Sequence, residues 1–327
     1  MSTKSELLKL LEDAHGAYIS GAALASEMSI SRNAVWKAIV SLREEGYGIS
    51  AVTNKGYRLE YQGDILSEAG IIVHIKNKGV FQVDIRKSVT STNTLLRELA
   101  VIGAPEGYVV AAEEQTAGKG RMGRLFHSPA GHGAYFSLLL RPESSAADTA
   151  LITSAAAVAT AMAIEDVIGV NVGIKWVNDL FIGWKKVCGI LTEAAYSMES
   201  GLIESVVLGI GINVTIPEGG FPDELRNTAA ALTDKQLCSD DGRCRLIAAT
   251  LDNLWGFYQE LPARKFLADY MKRSILLGRD IFVISNDSKR PARALAIDND
   301  CRLVVRYENG ETASLNSGEV SIRIAES

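Results

Sequence analysis

Apolar residues recur at helical spacing in three successive segments near the start of the chain. They are Leu7, Leu10, Leu11 and Ala14, then Leu24 and Met28, then Val35, Ile39 and Leu42. A hairpin pattern follows from Tyr47 to Tyr61, with a turn signal at Asn54-Lys55-Gly56. Three short helices followed by a β-hairpin describe a winged helix-turn-helix, which residues 1–62 are therefore predicted to form.

The third predicted helix carries polar residues on the face opposite its apolar positions. In a winged helix-turn-helix, the N-terminal part of this helix enters the major groove of DNA. The residues that we expect at base edges or phosphates are Ser31, Arg32, Asn33, Lys37, Lys55 and Arg58. Residues 1–62 carry seven Lys and Arg and seven Asp and Glu. Because the domain is neutral overall, we expect weak non-specific binding to DNA and two copies of the domain on a twofold-symmetric site. The alternative interpretation of residues 1–62 is a small helical domain that binds protein instead of DNA.

Strand-like and helix-like patterns follow one another after a predicted linker at residues 63–67. Strands are predicted around residues 81–85, 108–112, 134–140, 172–176, 180–182, 187–191 and 206–214, and helices around residues 95–102, 148–168, 244–260 and 263–273. The strand at 206–214 is apolar on both faces, which indicates a central position, and its glycines let a bulky group approach the sheet. The alanine-rich run at 150–164 is interrupted by polar residues, so we expect a buried helix instead of a membrane span.

Short strands dominate the chain from Ile281 onward. They are predicted at residues 281–284, 292–297, 303–307, 312–315 and 321–324, with turn signals at Asn286-Asp287, Asp298-Asn299-Asp300 and Asn309-Gly310. This spacing predicts a small β-barrel at the C-terminus, without a catalytic constellation of its own.

A glycine-rich, cationic loop follows the strand at 108–112. Three glycines and three cations lie within seven residues: Gly118, Lys119, Gly120, Arg121, Gly123 and Arg124. Glycine lets the backbone approach a ligand, and arginine binds phosphate or carboxylate oxygens with two nitrogens, so the loop suits an anion. The spacing Gly-x-Gly-x-x-Gly formally matches the dinucleotide fingerprint, but Pro129, Gly131 and Gly133 block the helix that this fingerprint requires. A basic surface loop without a ligand is the alternative.

Composition and charge narrow the classes of function. The chain has 327 residues and a net charge of −5, which argues against a protein that coats nucleic acid with its whole surface. The four cysteines form no Cys-x-x-Cys motif, so we expect reduced thiols packed as small apolar groups and no zinc site. The N-terminal segment leads into an acidic helix and does not resemble a signal peptide, which favours the cytoplasm.

Several polar side chains that could bind a ligand or take part in catalysis lie at the ends of predicted strands and helices. Ser91-Thr92-Asn93 precedes a helix, where one hydroxyl is expected to cap the helix and the set suits neutral amide-like groups of a ligand. The recurring cations are Lys119, Arg121, Arg124, Lys175 and Lys186. We find no Ser-His-Asp arrangement and no paired carboxylates. Together these residues suit a reaction on a polyanion in which charge is neutralised.

An ordered set of motifs closely resembles the biotin–protein ligases. The set is Ser91-Thr92-Asn93, Gln115-x-x-Gly118-Lys119-Gly120-Arg121-x-Gly123-Arg124, Lys175-Trp176-x-Asn178-Asp179, Lys186-x-x-Gly189-Ile190-Leu191 and Gly209-x-Gly211-Ile212-Asn213. With the winged helix in front, the chain resembles the bacterial members that combine ligase and biotin operon repressor. Two positions depart from the pattern, because the family usually has arginine at Lys119 and proline at Val177.

The resemblance implies an α+β fold in three parts. These are a winged helix-turn-helix at 1–62, a mixed-sheet ligase domain at 63–273 that is similar to class II synthetases, and an SH3-like β-barrel at 274–327. It also implies two reactions, in which biotin and ATP give biotinoyl-AMP with Mg²⁺ present, and a lysine of a biotin carrier domain then takes the biotin. The adenylate would act as corepressor on operator DNA, with the chain as a homodimer.

Family-matched positions imply a role for each motif. Lys186 and Arg121 are expected to be catalytic. The biotin site is expected to comprise Ser91, Thr92, Asn93, Gln115, Gly118, Lys119, Gly120, Arg121, Lys186 and Gly189. The adenylate site is expected to comprise Arg121, Arg124, Lys175, Asn178, Asp179 and Asn213, with Asp179 also as the metal ligand. A lipoate-type ligase and a regulator without catalysis are the competing interpretations.

Overall fold

The computed structural model describes residues 2–14, 16–60, 64–142, 148–196, 203–233, 241–285, 288–316 and 319–322. Within these ranges the α-helices are α1 (Thr3–Asp13), α2 (Gly21–Glu27), α3 (Arg32–Glu44), α4 (Glu68–His74), α5 (Thr92–Val101), α6 (Asp148–Ile168), α7 (Gly242–Gln259) and α8 (Leu267–Arg273). The strands of the N-terminal and central sheets are β1 (Gly48–Val52), β2 (Gly56–Glu60), β3 (Gln82–Val89), β4 (Tyr108–Gln115), β5 (Gly133–Leu140), β6 (Gly173–Lys175), β7 (Asp179–Ile182), β8 (Lys185–Tyr196) and β9 (Ile203–Asn213). The strands of the C-terminal sheet are β10 (Asp280–Ser285), β11 (Ser288–Ile297), β12 (Leu303–Tyr307), β13 (Thr312–Leu315) and β14 (Glu319–Ile322).

The first three helices and the β1–β2 hairpin form the predicted winged helix-turn-helix. Ser20 and Ser31 begin α2 and α3, and each hydroxyl accepts a hydrogen bond from the backbone N–H three residues later. The β1–β2 hairpin is the wing, and the backbones of Ile19 and Tyr57 exchange two hydrogen bonds that connect it to the segment before α2. The apolar stripes predicted from the sequence meet in one buried core that includes Leu7, Leu11, Leu24, Val35, Ile39 and Leu42.

The central sheet has seven strands in the order β3-β4-β5-β9-β8-β7-β6. Only the β3–β4 pair is parallel among these neighbours, so the sheet is mixed. β9 lies in the middle and is buried along its length except at Glu204, which confirms the predicted central strand. Helix α5 covers one face of the sheet through Leu96, while α6 and α7 pack together on the larger core of the other face.

Helix α6 forms the centre of the larger core. The segment Ala150–Ile168 is long and apolar enough to cross a membrane by composition, but 72% of it is buried inside the protein. Its alanines are fully buried where the helix packs against α7. This position agrees with the buried helix that the sequence predicts.

The C-terminal strands form one antiparallel sheet in the order β13-β12-β11-β10-β14. The predicted turn at Asn286-Asp287 lies outside the described residues. The predicted helix at 263–273 differs, because Arg264 adopts a left-handed conformation (φ 50°) and separates a 3-10 turn at Leu261–Ala263 from α8. Trp176 donates its indole N–H to the carbonyl of Cys301 (2.8 Å), which joins the central sheet to this unit.

Helix α4 was missed by the sequence analysis, which predicted only a linker before it. Ser67 accepts a hydrogen bond from the N–H of Gly70 (2.9 Å) and shares another with the hydroxyl of Tyr47 (2.7 Å). Ala69 packs into the core of the winged helix, and α4 contacts both α1 and α7. Helix α4 therefore joins the winged helix to the central domain.

Candidate active site

A cavity of about 920 Å³ lies between the glycine-rich loop and the strands β8 and β9. Nearly all residues that the sequence assigns to biotin or adenylate line it: Ser91, Thr92, Asn93, Gln115, Lys119, Gly120, Arg121, Arg124, Lys175, Asn178, Asp179, Lys186, Gly189 and Asn213. Gly118 lies outside the lining. A Cβ at Gly118 would lie 2.4 Å from the carbonyl oxygen of Phe126, so the loop backbone itself requires glycine there.

The start of α5 presents hydroxyl and amide groups to the cavity. Ser91 occupies the N-cap position, but its hydroxyl makes no capping hydrogen bond in the described structure, contrary to the expectation for this motif. Thr92 donates both its backbone N–H (2.9 Å) and its hydroxyl (3.1 Å) to Oε1 of Gln115. Gln115 in turn donates to the hydroxyl of Ser128 (2.9 Å). These bonds fix the orientation of the Gln115 amide and join the end of β4 to α5.

Asn93 is held by residues that the sequence analysis did not single out. Its Oδ1 accepts a hydrogen bond from the hydroxyl of Ser137 (2.6 Å), and its Nδ2 donates to Oε2 of Glu193 (2.9 Å). Arg97 also donates to Glu193 (3.0 Å). Because both ends of the amide have partners, its oxygen and nitrogen are oriented before any ligand arrives.

The glycines of β8 and β9 leave space at the floor of the cavity. A Cβ at Gly209 would lie 2.0 Å from Oδ1 of Asn93, and one at Gly211 would lie 2.5 Å from the ring of Phe126. Gly209 therefore leaves space for the Asn93 amide, and Gly211 leaves space for the Phe126 ring, whose role the sequence did not predict. This ring lies edge-on to Tyr135 with centroids 6.4 Å apart, and 6.0 Å from Nζ of Lys186.

The glycine-rich loop folds back on itself over the cavity. The N–H of Gly120 donates to the carbonyl of Arg124 (2.7 Å), and Arg121–Gly123 form one 3-10 turn with Met122 in a left-handed conformation (φ 55°). The chain from Arg124 to Gly133 then runs without a helix, and every residue of that stretch is described. No helix N-terminus follows the glycines there, so the dinucleotide interpretation is excluded.

Two contacts connect the loop and β8 to the end of the β6–β7 turn and the start of β7. Arg121 donates to Oδ1 of Asn178 (3.1 Å), whose Nδ2 donates to the carbonyl of Ile190 (2.6 Å). Nζ of Lys186 lies 2.7 Å from Oδ1 of Asp179. Both side chains of this ion pair are about a quarter to a third exposed, so they remain accessible from the cavity. The arrangement places a cation from the loop and a cation from β8 on the same side of the cavity.

The carboxylate of Asp179 fits a weakly held magnesium ion. Among the described residues that line the cavity it is the one carboxylate. Mg²⁺ is commonly bound through one or two carboxylates together with phosphate oxygens of the substrate, and it keeps several waters. The described residues therefore suit an ion that arrives with a nucleotide.

The cysteines within the described ranges are poor nucleophiles. Cys188, Cys244 and Cys301 are free and buried. Burial raises the pKa of the Cys188 and Cys244 thiols far above the ordinary value, and that of Cys301 to about 11. These thiols stay protonated at neutral pH, which agrees with their predicted role as small apolar groups.

The residues predicted to contact DNA lie on α3 and the wing. Ser31 caps α3 by accepting from the N–H of Ala34 (3.1 Å), and Arg32, Asn33 and Lys37 are exposed. The cations of the wing lie near the ring of Tyr18, at 6.0 Å for Lys55 and 4.9 Å for Arg58. Arg58 also pairs with Glu60 at 2.8 Å, and this exposed pair contributes little stability.

Comparison with known proteins agrees with this architecture. The Biotin/lipoate A/B protein ligase family matches residues 85–213, an HTH domain matches residues 3–58, and the Biotin protein ligase C terminal domain matches residues 276–323. The chain is 43% identical over 231 residues, 70% of either protein, to the bifunctional ligase/repressor BirA of Bacillus subtilis (strain 168). It is 28% identical over 337 residues to the bifunctional ligase/repressor BirA of Escherichia coli (strain K12), covering 98% of this chain and 97% of that protein.

A solved structure of Aquifex aeolicus biotin protein ligase in complex with biotin and ATP shares the fold. The two superpose with a TM-score of 0.61 at 24% identity, over 74% of this chain and 98% of that one. The order of the three matched domains, the seven-stranded sheet and the full-length similarity to ligase/repressors agree with one another. The chain belongs to the biotin protein ligase family, among its bifunctional ligase/repressor members.

Proposed function

We propose that the cavity binds biotin and ATP, joins them as biotinoyl-AMP and passes biotin to a lysine of a biotin carrier domain. One observation supports this most directly: an amide-binding group around Asn93 and a cationic group around Arg121 and Lys186 line the same cavity. In this proposal residues 1–62 bind DNA, residues 63–273 carry the catalysis, and residues 274–327 form the C-terminal domain. The reaction consumes ATP, which supports the prediction that the protein acts in the cytoplasm.

The amide-binding group suits the neutral ureido ring of biotin. The hydroxyl of Ser91 makes no capping hydrogen bond to α5, and the amide of Asn93 is already oriented by Ser137 and Glu193. Fixed donors and acceptors reduce the ordering cost when a ligand binds. Phe126 covers the floor formed by Gly211 and supplies an apolar surface for the hydrocarbon part of the vitamin.

The first reaction requires two anions to approach each other. A carboxylate oxygen of biotin forms a bond to the α-phosphorus of ATP, the bond to the β-phosphate oxygen breaks, and pyrophosphate leaves. Lys186 and Arg121 offset the repulsion and stabilise the charge that develops on the α-phosphate. Asp179 holds Nζ of Lys186 in place until the phosphate competes for it. Asp179 would hold a Mg²⁺ ion that arrives with the nucleotide, and this ion would supply further positive charge next to the triphosphate.

The second reaction transfers the acyl group. The amine nitrogen of the carrier lysine attacks the carbonyl carbon of the anhydride, the carbon–oxygen bond to AMP breaks, and the amine loses a proton. The glycine-rich loop with Lys119, Arg121 and Arg124 covers the adenylate until the carrier arrives. Lysine at position 119 keeps the charge that an arginine would bring but contacts the ligand as a single point.

Pyrophosphate release tests the ligase part of the proposal. The purified chain is assayed with ATP and Mg²⁺ in the presence of biotin, lipoate or neither, with and without a biotin carrier domain. Of the three conditions, only the one with biotin is expected to release pyrophosphate. When the carrier domain is also present, its lysine is expected to become labelled with biotin. Lys186→Ala is expected to slow adenylation by about two orders of magnitude, as for the loss of a main charge stabiliser. Lys185→Ala is the matched control, because Lys185 is exposed and outside the cavity lining.

We further propose that the adenylate acts as a corepressor. Binding would order the glycine-rich loop, favour a homodimer and place two winged helices on a twofold operator. Support comes from the matched helix-turn-helix and from relatives that are named as ligase/repressors. A gel shift with DNA from upstream of biotin genes is expected to require both biotin and ATP. A shift of equal strength without either compound would reject the coupling.

A further inference from the structure

Trp36 is a large aromatic residue that the winged helix leaves on its surface. It is 54% exposed, whereas the apolar residues at the neighbouring positions Val35 and Ile39 of the same helix are buried. A single exposed apolar residue needs no explanation by itself. The position of Trp36 on α3 is what suggests a role.

Trp36 lies on the same face of α3 as the residues expected to reach DNA bases. Arg32 and Trp36 are four residues apart and are therefore neighbours on the helix surface, as are Asn33 and Lys37. All four side chains are exposed. At a rise of about 1.5 Å per residue, Trp36 lies about 4.5 Å further along α3 than Asn33 and about 6 Å further than Arg32. Because base pairs are about 3.4 Å apart, a displacement of this size along the groove would bring Trp36 to a base pair one or two steps from those that Arg32 and Asn33 reach.

The chemistry of the indole selects one base. Most base edges in the major groove offer only donors and acceptors, whereas thymine also offers an apolar C5-methyl group. An exposed indole gains most from covering an apolar group. We propose that Trp36 packs on a thymine methyl in each half-site of the operator and so determines sequence specificity at that position. This inference rests on the repressor part of the proposed function.

The charges around Trp36 favour DNA over a protein partner as the occupant of this face. Arg32 and Lys37 flank the indole on α3, and Lys55 and Arg58 lie on the wing. Cations on the reading helix and on the wing suit the phosphates that line a groove of DNA. A second copy of the neutral winged helix would bring the same cations against each other.

Selection from a random duplex library tests the inference. The full-length protein with biotin and ATP is compared with Trp36→Ala under the same conditions, and thermal melting checks that the exposed substitution leaves the fold intact. Wild type is expected to enrich a thymine at one position of each half-site, and Trp36→Ala is expected to lose that preference. Replacing that thymine by deoxyuridine, which lacks the methyl, is expected to weaken wild-type binding by about fourfold per half-site and Trp36→Ala binding not at all.

The possible outcomes distinguish a failure of the proposed role of Trp36 from a failure of the repressor function. If both proteins enrich the same motif, or if deoxyuridine weakens both equally, the role of Trp36 is overturned while the repressor function stands. If Trp36→Ala keeps the motif but changes the oligomeric state, the face binds protein and the inference is equally overturned. If wild type enriches no motif with biotin and ATP, the repressor function fails, and the inference fails with it.

Discussion

Arg243, in the first turn of α7, joins three parts of the chain through one buried ion cluster. Its Nε donates to Oδ2 of Asp64 (2.8 Å), and its Nη1 and Nη2 donate to the two carboxylate oxygens of Glu113 (2.6 and 3.2 Å). Nη2 also donates to the carbonyl of Asp64 (2.6 Å). Asp64 lies four residues before the start of α4, the helix that joins the winged helix to the central domain, and Glu113 lies two residues before Gln115 of the cavity.

Replacing Arg243 by methionine would keep the apolar volume and leave two carboxylates without their cation. The side chains of Arg243 and Asp64 are only 3% and 11% exposed, so neither charge is screened well by water. Glu113 is 28% exposed and recovers part of its hydration. Removing one partner of a buried pair costs about 3–5 kcal/mol, and we place Arg243→Met near about 3 kcal/mol because Glu113 is partly hydrated.

The loss of stability in Arg243→Met should become smaller as the pH falls. Burial already raises the pKa of Asp64, and the charge of Arg243 opposes that rise. In Arg243→Met the pKa of Asp64 would rise further above its unfolded value. The folded variant then binds a proton more readily than its unfolded chain, so its stability increases as the pH falls through the raised pKa. The deficit relative to wild type should therefore shrink on acidification.

Urea unfolding at neutral pH and near pH 5 measures both effects. Arg245→Met is the matched control, because Arg245 lies on the same helical turn and is exposed. We expect a large loss for Arg243→Met, a loss within about 0.5 kcal/mol for Arg245→Met, and a smaller gap at the lower pH. Equal losses in the two variants, or a gap that widens on acidification, would refute this reasoning.

Three further substitutions test separate parts of the structure. Gly209→Ala places a Cβ 2.0 Å from Oδ1 of Asn93, so the KM for biotin should rise about tenfold or more; an unchanged KM would remove Asn93 from the biotin site. Arg121→Gly should let biotinoyl-AMP escape, seen as labelling of proteins other than the carrier; labelling confined to the carrier would contradict this. The hydrogen bond from Arg273 holds the pKa of Glu165 below its usual range, so Glu165→Gln should cost about 1 kcal/mol at neutral pH, and this difference should be lost as the pH falls through the lowered pKa of Glu165; a constant difference would show that the charge is irrelevant.

Regular periodicity made the larger elements predictable from the sequence. The stripes of α1 and α3, the hairpin around Asn54 and the two-sided apolar strand β9 each depend on neighbours within one element. Helix α4 was missed because it has only seven residues, with Gly70 in its middle obscuring the pattern. Its stability comes from packing between α1 and α7, which a local pattern does not contain.

Pairings between distant segments explain what the sequence analysis missed in the cavity. Phe126 belongs to the loop in sequence, but its place is decided by the absence of a side chain at Gly211 on β9. Glu193 and Ser137 lie on different strands and meet only at Asn93. The motif residues themselves were found because they resemble a family whose motif order is specific. Arg243 showed no signal, since a charged residue in a helix is usually exposed.

Hydrogen exchange across residues 116–126 tests most directly whether the glycine-rich loop covers a biotinoyl adenylate. The protein is labelled alone, with biotin, with ATP, and with both together in the presence of Mg²⁺. Ordering a glycine-rich loop is costly without a counter-charge, so strong protection is expected only when biotin and ATP are both present. Lys186→Ala should show little protection under the same conditions, because it forms the adenylate slowly. Equal exchange of residues 116–126 in all four wild-type samples would contradict the proposed role of the loop and the cavity beneath it.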